Sequence, residues 1–136
     1  METVAMNYWA VLVAALAYFI LVAIWYAGPV FGKAWMAGIG KTREQVTADY
    51  KPTKLVWALI TSIIAAYGIA RVMIWKGGDS LSDGLMVGFL TSICFVAMTM
   101  SCNDTMESRP CKLTMINVLY HVIGFLIMGA VIGLWR

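Results

Sequence analysis

Asn117 and His121 are two polar residues that lie four positions apart in an otherwise apolar stretch near the end of the chain. In an α-helix this spacing puts both side chains on one face. Histidine titrates near neutral pH and binds metals, so the pair is typical of a proton-linked or ligand-binding position. The alternative is structural, with a neutral imidazole that hydrogen-bonds to a neighbouring helix. The candidate partners for such a bond are Thr61, Ser62, Thr91 and Ser92.

A cluster of polar residues precedes this stretch: Asn103, Asp104, Glu107 and Arg109, followed by Pro110. One interpretation is a polar vestibule that leads towards the asparagine–histidine pair. The other is a structural corner, because Asp104 and Glu107 have the spacing of a capping box and Pro110 suits the first turn of a helix. Glu107 and Arg109 are also close enough in sequence to form an ion pair.

The elements that must position these residues are membrane helices. The chain is 62% hydrophobic and 12% charged, with a mean hydropathy of +0.82, whereas soluble domains are about 45–50% apolar and about 25% charged. Four apolar runs are each long enough to cross a bilayer as a helix. We predict an all-α, polytopic membrane protein with one domain, 1–136. The predicted helices cover approximately 6–27, 54–75, 84–102 and 112–135.

The segment between the first two predicted helices has helical patterns of its own. Phe31, Trp35 and Ile39 recur at i, i+4 and i+8, which predicts a short helix lying in the membrane interface. Thr42 and Gln45 have the spacing of a capping box and predict a second short helix. Aromatic and basic residues near this end are expected to anchor it at headgroup depth. These anchors are Trp25, Tyr26, Lys33 and Trp35.

Loop charge predicts the orientation. Seven basic residues fall in the first and third loops, and three fall on the opposite side. Basic loops stay in the cytoplasm, so loops 1 and 3 are expected inside and both termini outside. This asymmetry explains the net charge of +3 and provides no evidence for nucleic-acid binding. The seven residues are Lys33, Lys41, Arg43, Lys51, Lys54, Arg109 and Lys112, against Arg71, Lys76 and Arg136.

Small residues in the last helix indicate close helix packing. Gly129 and Gly133 form a GxxxG motif, which lets another helix backbone approach. Gly124 continues the face that carries the asparagine and histidine. Soft ligands recur every four residues at Cys94, Met98 and Cys102, a pattern that suits Cu(I). These residues are also common apolar fillers, so we expect no metal and no cofactor, and copper is the alternative.

Two segments resemble a family of small bacterial membrane proteins that is classified only as a domain of unknown function. The opening of the chain matches the pattern WY..P.FGK.W, and its ending matches E.RP..L..IN..YH......MGA..GLW. The resemblance implies a bacterial inner-membrane protein and carries no activity. It implies that the following residues belong to the family pattern: Trp25, Tyr26, Lys33, Trp35, Asn103, Asp104, Glu107, Arg109, Asn117 and His121. Cys102 and Cys111 do not belong to it.

The leading hypothesis is a homo-oligomer in the lipid bilayer, with a polar site or a solute or ion path on the last helix. Four short helices enclose little space, so such a path forms more easily between subunits. The second hypothesis is a non-transporting scaffold or accessory subunit that binds other membrane proteins or lipid through the GxxxG face and the first loop. No catalytic set is recognisable, so an enzyme or cofactor carrier is the third alternative. The solute or ligand is not identifiable from the sequence.

Overall fold

The computed structural model describes residues 4–135, which are almost entirely helical and contain no strand. Four helices of this part of the chain are each long and apolar enough to cross a membrane, which confirms the predicted all-α polytopic class: α1 Tyr8–Trp25, α4 Pro52–Lys76, α5 Leu81–Met106 and α6 Cys111–Leu134. Two short helices, α2 Lys33–Ile39 and α3 Arg43–Ala48, lie between α1 and α4, and a π-helical turn, Gly28–Gly32, leads into α2.

The loops and the two termini lie at the two ends of the bundle. The Asn7 side chain donates to the Trp135 carbonyl at 3.0 Å, so the start of α1 and the end of α6 meet. At the opposite end, α2 packs on the first turn of α6, where Leu113 lies against Gly38. We call the end that holds residues 26–51 and 107–110 the loop end, and the other the terminal end.

Side-chain caps explain where several helices begin. The predicted capping box is confirmed, since Thr42 accepts from the Gln45 backbone at 3.3 Å and the Gln45 side chain accepts from the Thr42 backbone at 2.9 Å. Ser80 caps α5 by accepting from the Asp83 backbone at 3.2 Å. The third membrane helix is therefore longer than the predicted 84–102, because this cap starts it at Leu81 and its polar last turns stay helical to Met106.

Helices α5 and α6 pack with their backbones in contact. A Cβ atom added to Gly84 would overlap the Gly129 carbonyl, and one added to Gly129 would overlap the Gly84 carbonyl. Gly133 makes a similar approach, since a Cβ there would lie 2.5 Å from the Ser80 carbonyl oxygen. In a membrane, helices associate by close packing of small residues rather than by hydrophobic burial. We call this contact of Gly84, Gly129 and Gly133 the seam. It is formed by backbone atoms, and side chains larger than glycine do not fit there.

A π-helical segment, Ser92–Ala97, interrupts α5 where it packs on α6. The buried residues Gly84, Gly88 and Ser92 follow one another at four-residue steps, and the next, Ala97, comes five residues later. In a regular helix that extra residue would turn Ala97 away by about 100°. The wider π turn absorbs the extra residue and keeps Ala97 only 3% exposed. Because Gly88 faces Phe125, Ser92 lies one turn further on, at the level of His121.

Candidate functional site

A tyrosine of α1, Tyr18, and the C-cap residue of that helix, Tyr26, bind the polar pair of α6. The Tyr18 hydroxyl and His121 Nδ1 share a short hydrogen bond, and the Tyr26 hydroxyl donates to Asn117 Oδ1 at 2.7 Å. Tyr18 and Tyr26 are eight residues apart, so both phenols lie along the side of α1 that meets α6. Asn117 and His121 therefore each have a partner in the same chain. Their two hydrogen bonds join the first membrane helix, at Tyr18 and the residue that ends it, to the last one.

The partners predicted for His121 were wrong. Each of the four hydroxyls donates to a carbonyl three or four residues earlier in its own helix. A short serine or threonine side chain readily makes this bond inside a helix, so it has no need of an imidazole from elsewhere. A phenol projects far enough to reach the neighbouring helix, and a buried one needs a partner there. The four residues are Thr61, Ser62, Thr91 and Ser92.

Tyr120 fills the space between these pairs. Its ring stacks on the Tyr18 ring at a centroid distance of 5.1 Å and 12° between planes. The same ring lies 4.8 Å from the His121 ring and 5.7 Å from the Tyr26 ring. We call these five residues, Tyr18, Tyr26, Asn117, Tyr120 and His121, the tyrosine–histidine cluster. Sequence reasoning missed Tyr18 and Tyr120 as site residues; the available signal was a phenol in mid-helix, eight residues before Tyr26.

The predicted interface anchors lie around the loop end of this cluster. Trp25 is buried and its indole donates to the Ile116 carbonyl at 3.0 Å, so it packs inside the bundle rather than facing lipid. Its ring contacts Phe31 at a centroid distance of 4.5 Å. Trp35 of α2 contacts the Tyr26 ring at 5.2 Å, edge to face. The fourth predicted anchor, Lys33, is exposed.

The three glycines predicted for helix packing make two different contacts. Gly129 and Gly133 form the seam with α5 of the same chain, so this GxxxG face is occupied within the bundle. Gly124 lies against the Tyr18 ring, and a Cβ there would overlap two ring carbons. The absence of a side chain at Gly124 therefore leaves the space in which Tyr18 reaches His121.

The corner between α5 and α6 is held by polar contacts of its own. Asp104 is 8% exposed and accepts from the Thr114 hydroxyl at 2.7 Å. Arg109 donates to Glu107 at 2.6 Å, which confirms the expected pair, and its Nε lies 3.8 Å from Asp104 Oδ1. Asn103 is exposed on the last turns of α5.

The capping roles predicted for this corner were wrong. Asp104 lies inside α5, Glu107 is the C-cap of that helix, and Pro110 is the N-cap residue of α6 rather than part of its first turn. The two acids have a spacing that also fits one turn of a continuing helix. Thr114 lies three residues before Asn117, about one helical turn. The corner therefore adjoins the Asn117 end of the tyrosine–histidine cluster.

Comparison with known proteins gives the family. The sequence model of the family described as "Protein of unknown function (DUF1761)" matches residues 9–133. The chain belongs to this family. That span covers the four membrane helices except for Tyr8 and Leu134 at its two ends, and it contains the whole tyrosine–histidine cluster. The match confirms the expected membership of a family of unknown function. No curated protein and no solved structure matches the chain.

The soft-ligand residues of this DUF1761 member, Cys94, Met98 and Cys102, lie along the outside of α5. Cys94 and Cys102 are exposed, and Met98 is 57% exposed. Cys111, the first residue of α6, is also exposed. Within residues 4–135, no group of three or more histidine, cysteine or acidic side chains is placed to hold a metal ion. The structure therefore does not bring these sulfur ligands together with His121.

Proposed function

We propose that the protein assembles with further copies of itself and provides a polar path for an ion or small solute along the tyrosine–histidine cluster. The path runs where α1 and α6 of one copy meet a second copy. The proposal includes the orientation expected from loop charge, with the loop end and its seven basic residues in the bacterial cytoplasm. It assigns no catalytic step.

The observation that carries this proposal is the partial exposure of a polar pair at membrane depth. Asn117 and His121 are both only half-buried in the single chain. His121 lies ten residues into the 24-residue α6, about 15 Å along its axis and close to its middle. Polar and ionisable groups are costly against hydrocarbon and face protein or water instead. A second copy, with water along the contact, would cover this face.

Two further features support a path at the surface of the single bundle. The stacked rings of Tyr18 and Tyr120 occupy the space between α1 and α6, so little room is left for a solute inside one chain. The π-helical segment of α5 lies at the level of His121. Single π turns within α-helices occur frequently at functional sites. The filled space between α1 and α6 favours a site that is completed by assembly, and the π turn marks this level of the bundle as a candidate site.

Transport in proteoliposomes tests the function. We expect the protein to move at least one of three probes, namely protons reported by a trapped pH-sensitive dye, potassium ions, and glycerol followed by osmotic swelling. Replacing His121 by Ala removes a hydrogen-bonding group from the proposed path and leaves the Tyr18 hydroxyl without its partner. A polar group left unpaired away from water costs about 1–3 kcal/mol. Flux is then expected to change by about fivefold to a hundredfold.

The matched control is Met115→Ala, which truncates an exposed side chain of α6 without touching the cluster. It is expected to leave flux unchanged. If none of the three probes moves through the wild-type protein or the His121→Ala variant, the transport proposal is wrong.

A non-transporting scaffold or accessory subunit is the second candidate, and one observation favours it. The hydrogen bonds of Asn117 and His121 both run to α1 of the same chain, which suits a clasp that holds two helices together. A partner protein would then bind the outer faces of the bundle, since α5 occupies the GxxxG face. The scaffold requires that His121→Ala lower the stability of the protein and that no probe cross the membrane.

A further inference from the structure

A cleft lies at the loop end between the end of α1 and the helices α2 and α3. It has a volume of about 240 Å³. Tyr26 and Trp35 supply aromatic walls, and Arg43 and Thr47 of α3 supply polar ones. Tyr26 directly follows the membrane-spanning part of α1, so the cleft opens at the depth where a membrane helix gives way to the headgroup region. We call it the Arg43 cleft.

Arg43 brings a positive charge that is not neutralised. Within residues 4–135, no carboxylate lies within ion-pair distance of its guanidinium, and none lines the cleft. Glu44, its neighbour in sequence, lines a separate shallow surface that shares Arg43 and Thr47 with the cleft. Lys41 differs, because it is ion-paired with Asp49 and holds the pKa of that carboxyl below its usual value.

Gly28 leaves room in front of the guanidinium. A Cβ atom built on Gly28 would lie 3.7 Å from Arg43 Nη1, at ordinary contact distance, and nothing else comes as near to that position. Gly28 is not among the glycines with a left-handed backbone, so its φ does not exclude other residues. A side chain at this position would occupy the cleft directly below the positive charge.

We propose that the Arg43 cleft binds the phosphate of an anionic phospholipid headgroup. A guanidinium presents a planar fork of donors that matches a phosphate. The Thr47 hydroxyl donates to the Arg43 carbonyl at 2.8 Å, so it forms a polar wall of the cleft and Arg43 supplies the donors to the phosphate. Tryptophan and tyrosine favour headgroup depth, and the cleft walls contain both. A volume of about 240 Å³ is smaller than a typical ligand pocket, so it suits a headgroup whose acyl chains remain in the bilayer.

Lipid competition followed by native mass spectrometry tests this site. The full-length protein is reconstituted in nanodiscs of equimolar phosphatidylglycerol and phosphatidylcholine, and the lipids it retains on release are counted. We expect the wild-type protein to prefer phosphatidylglycerol. One basic side chain near an anionic headgroup is worth enough to change binding about fivefold, so Arg43→Gln is expected to reduce the preference by about that factor.

Three controls separate this site from general surface charge. Lys112→Gln removes one exposed positive charge at the same end of the bundle and is expected to keep the preference. Gly28→Leu keeps every charge but fills the cleft, and is expected to lose the preference. If Arg43→Gln does not fold, the lipid preference of the Gly28→Leu variant tests the site in its place. Excess inorganic phosphate is expected to leave the bound lipid in place.

Three results would overturn the proposal. The first is a wild-type protein without preference for phosphatidylglycerol. The second is an equal loss in Lys112→Gln and Arg43→Gln, which would show a diffuse effect of charge. The third is displacement of the lipid by inorganic phosphate, which would make this a site for soluble phosphate.

Discussion

Replacing Gly129 by Ala is expected to destabilise the protein by about 3 kcal/mol, the upper end of the usual cost of overpacking. The added methyl group would overlap the Gly84 carbonyl, which belongs to the backbone of a long helix and cannot rotate away as a side chain would. Helix α5 must therefore move as a unit and give up its contacts with α6. Reversible unfolding in mixed micelles, followed by circular dichroism, measures the change in the free energy of unfolding.

Gly68→Ala is the matched control for this substitution. Gly68 lies in the membrane helix α4, and a Cβ atom there would meet nothing within 4 Å. The same chemical change is therefore expected to cost nothing, or to stabilise the helix slightly. Equal stability of the Gly129→Ala and Gly68→Ala variants would show that α5 and α6 are not in backbone contact.

Gly124→Ala is expected to damage the tyrosine–histidine cluster without altering any polar group. The methyl group would occupy the position of the Tyr18 ring, so Tyr18 must rotate away from His121 and lose its stacking on Tyr120. The expected cost is about 1–3 kcal/mol in the free energy of unfolding. It is smaller than at Gly129 because a side chain, rather than a backbone, has to move.

A double-mutant cycle with Tyr18→Ala isolates this contact. Once the ring is removed, the methyl group at position 124 meets empty space, so Gly124→Ala is expected to cost almost nothing in that background. The coupling between the two substitutions is then expected to exceed about 1 kcal/mol, as for residues in direct contact. Additive effects would contradict the close approach of Gly124 to Tyr18.

The membrane helices could be predicted from the sequence, because apolar runs of sufficient length leave few other structures available in a bilayer. Asn117 and His121 could be identified as candidates for the same reason, since each is a polar residue inside such a run. Their partners could not be identified. Tyr18 and His121 are 103 residues apart in sequence, and tyrosine is compatible with a core, an interface or a site.

The errors arose where one pattern has two physical explanations. The spacing of Asp104 and Glu107 fits a capping box at the start of a helix, and it fits one turn of a continuing helix equally well. The second explanation is correct, because Asp104 lies inside α5. The GxxxG motif indicates a close helix contact without indicating whose helix it is, and here the helix is α5 of the same chain. The π-helical segment could not be predicted, because its only trace in the sequence is a five-residue step between the small residues Ser92 and Ala97.

The central claim is that a second copy of the chain covers the half-buried Asn117 and His121. Native mass spectrometry of the wild-type protein, released from nanodiscs under mild conditions, tests it most directly by counting chains of 15.0 kDa. We expect a defined oligomer, and we expect the oligomeric fraction to fall when Asn117 and His121 are both replaced by Leu. If the folded wild-type protein is wholly monomeric and still moves a probe across proteoliposomes, a second copy does not cover Asn117 and His121.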